Sequence, residues 1–428
     1  MLGVTSCAND FTVGYVYVTG TQPNGGIGGQ IGGYKEDNNN GRLRSVPGSP
    51  FTSGGSNPVR AVITSNGRFL FVLNAGVRTE DASGNLTYPG GNISVFTIGG
   101  YGQLTFQHSY LSQGLGSIRL AADASGTHLF VLDSYSPIGN SSGALQTVST
   151  TQTDAFPCQE SPGVFRAAGD VTVFTIDTST GRLDLVTNQQ QQNLTYFPVG
   201  CSPVDFHTNG QYLFAMDAGS ITNNDVETIY TYAVSGSSGQ LTQTQTGLQR
   251  PAPDDPNSRI ASITGGGNYI YLVDSGDNVI RPYNVGNLGA LATVSAGASA
   301  NTSSVAGNPQ QLISVVGAGT TYVYVANAGP GVGINTASSD ISGYAVDANT
   351  GHLDNPSFMS PYLGAPSGLV CIFEDPSNQY IYAAGSQDNT IAVRRFTPQT
   401  GSLVVPTGGS AFPTVGTPSW CLATSASR

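Results

Sequence analysis

Charge is scarce in this chain of 428 residues: Asp, Glu, Lys and Arg make up only 10% of it. There are 15 Lys and Arg against 26 Asp and Glu, for a formal net charge of −11. A chain this poor in cations does not neutralise polyphosphate, so nucleic acid is excluded as an expected partner. No run of 18 apolar residues occurs, so no segment is expected to span a membrane as a helix. Long helical patterns are missing as well. The four histidines are scattered and no Cys-x-x-Cys or Cys/His cluster occurs, so neither a metal site nor a cofactor is expected. A Gly-x-Ser-x-Gly elbow and a phosphate loop are also missing.

What is present is glycine (57), proline (24), tyrosine (20) and phenylalanine (17). So many rings exclude a disordered or collagen-like chain. The composition is that of an all-β protein with many turns. At roughly 150 residues per domain the length suggests about three domains, a prior that an internal repeat overrides.

Such a repeat exists. A strand with alternating rings recurs seven times, from Tyr15-Val16-Tyr17-Val18 and Phe69-Leu70-Phe71-Val72 through Tyr380-Ile381-Tyr382-Ala383. The only non-aromatic first ring position is His128. A Gly-x-Leu step also recurs seven times, at Gly41, Gly102, Gly181, Gly239, Gly289, Gly351 and Gly401. Between them lies an aliphatic-x-x-aromatic strand, as in Ile93 to Phe96 and Ile341 to Tyr344. A further strand precedes each ring strand, starting near Pro58, Ser117, Pro203, Ser258, Pro309 and Pro366. Asn66-Gly67 and Asn209-Gly210 read as two-residue hairpin turns. The first ring strand, at Tyr15, has no preceding partner, and the strand from Pro418 has none following it. The reading is an all-β, seven-bladed β-propeller of four-stranded antiparallel blades, closed by the C-terminal strand in a 3+1 arrangement. It occupies residues 14–428 as one domain, after a tail at 1–13.

Val4-Thr5-Ser6-Cys7 fits a lipobox, which makes Cys7 a lipidation candidate and any membrane contact a lipid anchor. The basic start and apolar run of a signal peptide do not precede it. Low charge with abundant Gly, Ser, Thr, Asn and Gln suits an extracellular or cell-surface protein, here taken as bacterial. Cys158, in a long insertion, and Cys201, before the first strand of blade 4, lie on adjoining connections and are expected to bond. Cys371 and Cys421 are expected on innermost strands of adjacent blades. Counted from Pro366 and Pro418 they share parity, which points them the same way round the ring and disfavours a bond unless a bulge intervenes.

Strand alternation puts the long connections, 75–91, 135–169, 248–257, 299–308 and 328–339, on one face, the expected working surface. Innermost strands begin there. Their alignment places Arg60, Arg119, Asp205, Arg259, Gln311, Gly368 and Trp420 at similar depth. The three arginines either bind a small anion by guanidinium forks or pair with acids such as Asp205 and Asp123. Asn74, Asp133, Asp217, Asp274 and Asn327 end second strands, where such residues cap the turn that follows.

The blade pattern resembles the YVTN-repeat and lactonase-type seven-bladed propellers over residues 14–426. That resemblance implies a Gly-Pro-Arg-His-like stretch on an innermost strand, with a Glu and further Arg round the channel. No such stretch occurs here; Arg60 and Arg119 match the arginines, but no His follows either. His207 is read at the far turn, His108 on an outer strand and His352 in a turn. Glu227 is the one glutamate read near the loop face of blade 4, and Glu374 and Asp375 are read away from that face. No catalytic set assembles from these positions. The expectation is therefore a non-catalytic exported or cell-surface module for binding or assembly, including a self-assembling surface or filament subunit. Its expected partners are a protein or carbohydrate surface, further copies of itself, or a small anion. The alternative is a lactonase-like hydrolase of the 6-phosphogluconolactonase type with divergent catalytic groups.

Overall fold

The computed structural model describes residues 12–23, 26–137, 157–191, 194–219, 227–245, 258–294, 300–301, 307–329, 339–354, 361–362, 364–407 and 411–426. Seven antiparallel sheets of four main strands follow one another round a ring. The innermost strands are Pro58–Ile63, Leu115–Ala122, Pro203–Thr208, Ile260–Gly266, Pro309–Gly317, Leu369–Glu374 and Thr417–Ser425. The last pairs with Thr12–Thr21, Val16 opposite Ala423 and Val18 opposite Cys421. The C-terminal strand thus completes blade 1, as its missing inner strand requires. Among the described residues no helix is long and apolar enough to cross a membrane.

Both faces of each sheet are covered, so the ring strands are buried along their length; Tyr17, Phe71, Phe130, Phe214, Tyr271, Tyr324 and Tyr382 are all 0% exposed. The two sequence signatures turn out to be one contact. The Tyr17 hydroxyl donates to the Gly102 carbonyl (2.8 Å) and that of Tyr382 to Gly41 (2.8 Å), in the Gly-x-Leu turn of the next blade. Gly102 has φ 79°, and a Cβ there would lie 2.4 Å from the ring of Tyr15, so the turn needs glycine twice over. Gly239 faces His128 in the same way, which is why an imidazole can hold a ring position. Of the two hairpin turns, that at Asn209 joins its strands through Gly210 and Gln211, with Asn209 donating to the Tyr212 carbonyl. The Asn66 turn is wider, closed by the Thr64 amide on Phe69.

Each inner strand carries a one-residue bulge at the same level: Val59, Ile118, Val204, Ala261, Gln310, Val370 and Ser419. The bulge re-aims the next side chain. The residues that follow form one layer: Arg60, Arg119, Asp205, Ser262, Gln311, Cys371 and Trp420. Members of this layer stitch to the next inner strand, one residue further along. Asp205 accepts from the Ile263 amide (3.3 Å) and Gln311 from the Ile372 amide (3.0 Å). Trp420 Nε1 donates to the Ala61 carbonyl (3.0 Å).

Cys371 makes the same step covalently, to Cys421. This corrects the parity argument. The residue equivalent to Pro418 is Leu369, three places beyond Pro366, and that odd offset turns Cys371 toward its partner. Cys158 and Cys201 are bonded as expected.

Candidate functional site

The shared layer lies near the start of each inner strand, at its loop-face end, and its charged members sit in blades 2, 3 and 4. Arg119 Nε donates to Asp205 Oδ1 (3.1 Å), and Arg60 lies 3.9 Å from the same oxygen. Asp205 is buried, with 1% of its side chain exposed, while Arg60 and Arg119 keep 16% and 24%. The arginines therefore do pair with an acid, as one of the two sequence readings had it, but both pair with the same one. Two guanidinium groups over one carboxylate leave one positive charge in excess. Arg60 is also stacked, with its Cζ 3.3 Å from the centroid of the Trp420 ring. Burial, then the neighbouring Arg119, pull its pKa down to about 9; Asp205 acts in the opposite direction. It stays protonated at neutral pH, and an anion at the mouth would relieve it.

Two expected members are elsewhere. Arg259 is exposed and precedes the blade 5 inner strand; its amide donates to Asp274 Oδ1 (2.8 Å). The layer position belongs to Ser262, because that strand starts at Ile260 rather than at Ser258. Gly368 lies in the turn before its strand, with its amide on Ser339 Oγ, and Cys371 takes the position. Gln311 and Trp420 are in the layer but act as stitches. Glu227 is spent on the start of blade 5, accepting from Ser258 Oγ (2.6 Å) and the Ile260 amide (3.1 Å).

His207 was placed wrongly by sequence. It is on the blade 4 inner strand itself, two residues from Asp205, with no bulge between them. Residues at i and i+2 of a strand share a side, and that spacing was the signal available in the sequence. Burial pushes its pKa down to about 4, only partly countered by Asp205, so the ring is neutral at pH 7. Its packing neighbour is Gly265 of blade 5. His108 is on the outer strand Leu104–Tyr110, and His352 pairs with Asp354.

The residues ending second strands do cap and tie the loop face. Asp217 accepts from the Ser202 and Gly219 amides, and Asn74 donates to Asn92 and Ser53. Among the described residues no group of three or more His, Cys, Asp or Glu side chains is arranged to hold a metal ion. Cys7 and most of the connections at 248–257, 299–308 and 328–339 lie outside the described residues.

Solved structures share this architecture at low sequence identity. The periplasmic gluconolactonase of Pseudomonas aeruginosa is 16% identical, with a TM-score of 0.66 over 97% of this chain and 100% of that one. A candidate 6-phosphogluconolactonase from Bacteroides uniformis is 14% identical, with a TM-score of 0.63 over 96% and 99%. A protein from Lactobacillus plantarum is 12% identical, with a TM-score of 0.60 over 96% and 99%. Comparison with curated proteins gave no match. The model of the family described as "Lactonase, 7-bladed beta-propeller" matches residues 204–421, half of the chain. That match overturns the expectation of a non-catalytic binding or assembly module, which rested on failing to find a catalytic set with His207 misplaced and the arginine layer misaligned. The chain belongs to the lactonase family of seven-bladed β-propellers.

Proposed function

We propose that this protein is an exported lactone hydrolase whose reaction centre is the axial cluster of Arg60, Arg119, Asp205 and His207. The observation that carries the reading is the pair of guanidinium groups facing one buried carboxylate at the mouth of the ring. Hydrolysis of a lactone joins a water oxygen to the carbonyl carbon, breaks the ring C–O bond and moves the water proton to the departing alkoxide. Negative charge gathers on the carbonyl oxygen on the way. The excess positive charge of Arg60 and Arg119 suits that oxygen, and Asp205 fixes Arg119 in place through Nε. His207 is neutral above about pH 4 and is assigned the proton transfer from water. Two disulfides support folding in an oxidising compartment.

The test is hydrolysis of gluconolactone and of its 6-phosphate by the purified protein, followed by acid release at constant pH. Acceleration over the spontaneous rate with at least one of the two is expected. Rates equal to the spontaneous ones for both would overturn the proposal.

A further inference from the structure

The blades offer an internal comparison at the loop-face end of their second and third strands. In blade 2, Asn74 stands opposite Asn92 and gives it an amide proton (Nδ2 to Oδ1, 2.7 Å). In blade 6, Asn327 stands opposite Asp340 and does the same (2.7 Å). Blade 4 sets Asp217 against Thr228, and blade 5 sets Asp274 against Val279. Blade 3 opposes two carboxyls, Asp133 and Asp170, and both are 0% exposed. Neither is a side-chain amide that could supply the proton, and of the two only Asp133 is reached by the backbone amide of Gly114.

The surroundings are polar but uncharged. Asp133 Oδ1 accepts from Ser117 Oγ (2.5 Å), and Oδ2 accepts from Ser112 Oγ and Thr172 Oγ1. Thr172 Oγ1 also lies 3.2 Å from Asp170 Oδ1. Asp170 Oδ2 is buried and has no hydrogen-bond partner among the described residues. A Cβ on Gly114 would lie 2.5 Å from that oxygen and 2.5 Å from Asp133 Cβ, so backbone closes over the pair. Among the described residues, the charged group acting on Asp170 is Asp133.

We propose that Asp133 and Asp170 share a single proton in the folded protein, and that its loss at alkaline pH separates the loop-face end of blade 3. Two adjacent buried carboxylates repel and neither is solvated, so one must stay neutral. The proton takes the place of the Asn amide of blade 6. The pKa directions agree: burial and then Asp133 push Asp170 well above the carboxylate range, and burial pushes Asp133 up to about 6. A group raised in the folded state contributes stability at low pH and loses it as pH rises.

The experiment measures unfolding free energy by urea at several pH values from 5 to 9 in three proteins. Asp133→Asn recreates the blade 6 pair, and Asp170→Asn is the second variant should the first not fold. The wild type should lose stability with rising pH more steeply than a variant, by up to one bound proton in the slope. Hydrogen exchange of the wild type supplies a readout independent of the variants. Amides of Leu132–Tyr135 and Asp170–Val173 should lose protection at high pH beyond the intrinsic acceleration. Equal slopes in all folded proteins, or unchanged protection there, would overturn the shared proton.

Discussion

Arg119 and Asp205 come from neighbouring blades and meet at the ring axis, with Nε donating to Oδ1 at 3.1 Å. Asp205 also accepts from its neighbour's amide at Phe206 and from Ile263 in blade 5. One buried carboxylate thus ties together four blades, two of them through cations. Removing its charge by Asp205→Asn should leave two unneutralised guanidinium groups and destabilise the fold by about 3 kcal/mol, as when one partner of a buried pair is lost. Added sulfate should recover part of that loss by binding between the arginines. Urea melts with and without sulfate check it; a variant as stable as wild type and indifferent to sulfate contradicts the pairing.

The ring tyrosines should not be equivalent. Tyr17→Phe removes a buried donor and leaves the Gly102 carbonyl unpaired, at a cost of about 1–2 kcal/mol. The Tyr271 hydroxyl is buried with no hydrogen-bond partner among the described residues. Tyr271→Phe should therefore be neutral or stabilising. Thermal melts of the two variants side by side decide this, and equal losses in both would refute it.

Cys371 and Cys421 fasten the closing strand to blade 7 across a separation of 50 residues. Cys421→Ser should cost about 4 kcal/mol by the chain-entropy estimate for a loop of this length. Since both thiols are buried, mild reductant should leave the bond intact until the ring opens. Free-thiol counting along a urea titration checks both points.

A second buried carboxyl, at the joint between blades 7 and 1, adds to the alkaline sensitivity. Glu36 is 0% exposed, with Oε1 2.9 Å from the Tyr382 hydroxyl. Burial, then Asp375, raise its pKa to about 8. Its contribution to stability is full below about pH 4.5, the value of the unfolded chain, and is lost as pH climbs to about 8. Glu36→Gln should flatten that part of the profile; a fall between pH 5 and 8 as steep as that of wild type would contradict it.

The fold was legible because each blade repeats a contact that needs particular residues: a ring on one strand and a glycine in the next blade's turn. The closing strand was legible from arithmetic, since Tyr15 lacked a partner and Pro418 lacked a follower. The site was less so. Its layer is set by a bulge in every inner strand, and a bulge leaves no residue signature. Proline was used as the strand marker instead, which worked at Pro58, Pro203, Pro309 and Pro418. It fails at Pro366, displacing Gly368 and the Cys371 parity together, and in blade 5, where Ser258 stands in for a proline, Arg259 is displaced as well. His207 was hidden by the Asn209-Gly210 turn beside it, although its spacing from Asp205 was in plain view.

The arginine pair at the axis is proposed to carry the chemistry. The direct measurement is kcat/KM for aldonolactone hydrolysis by Arg119→Ala, in protein shown by its melting curve to be folded. A loss of about 10²-fold or more is predicted, the scale on which removing one oxyanion donor acts. Activity equal to that of wild type would contradict the claim.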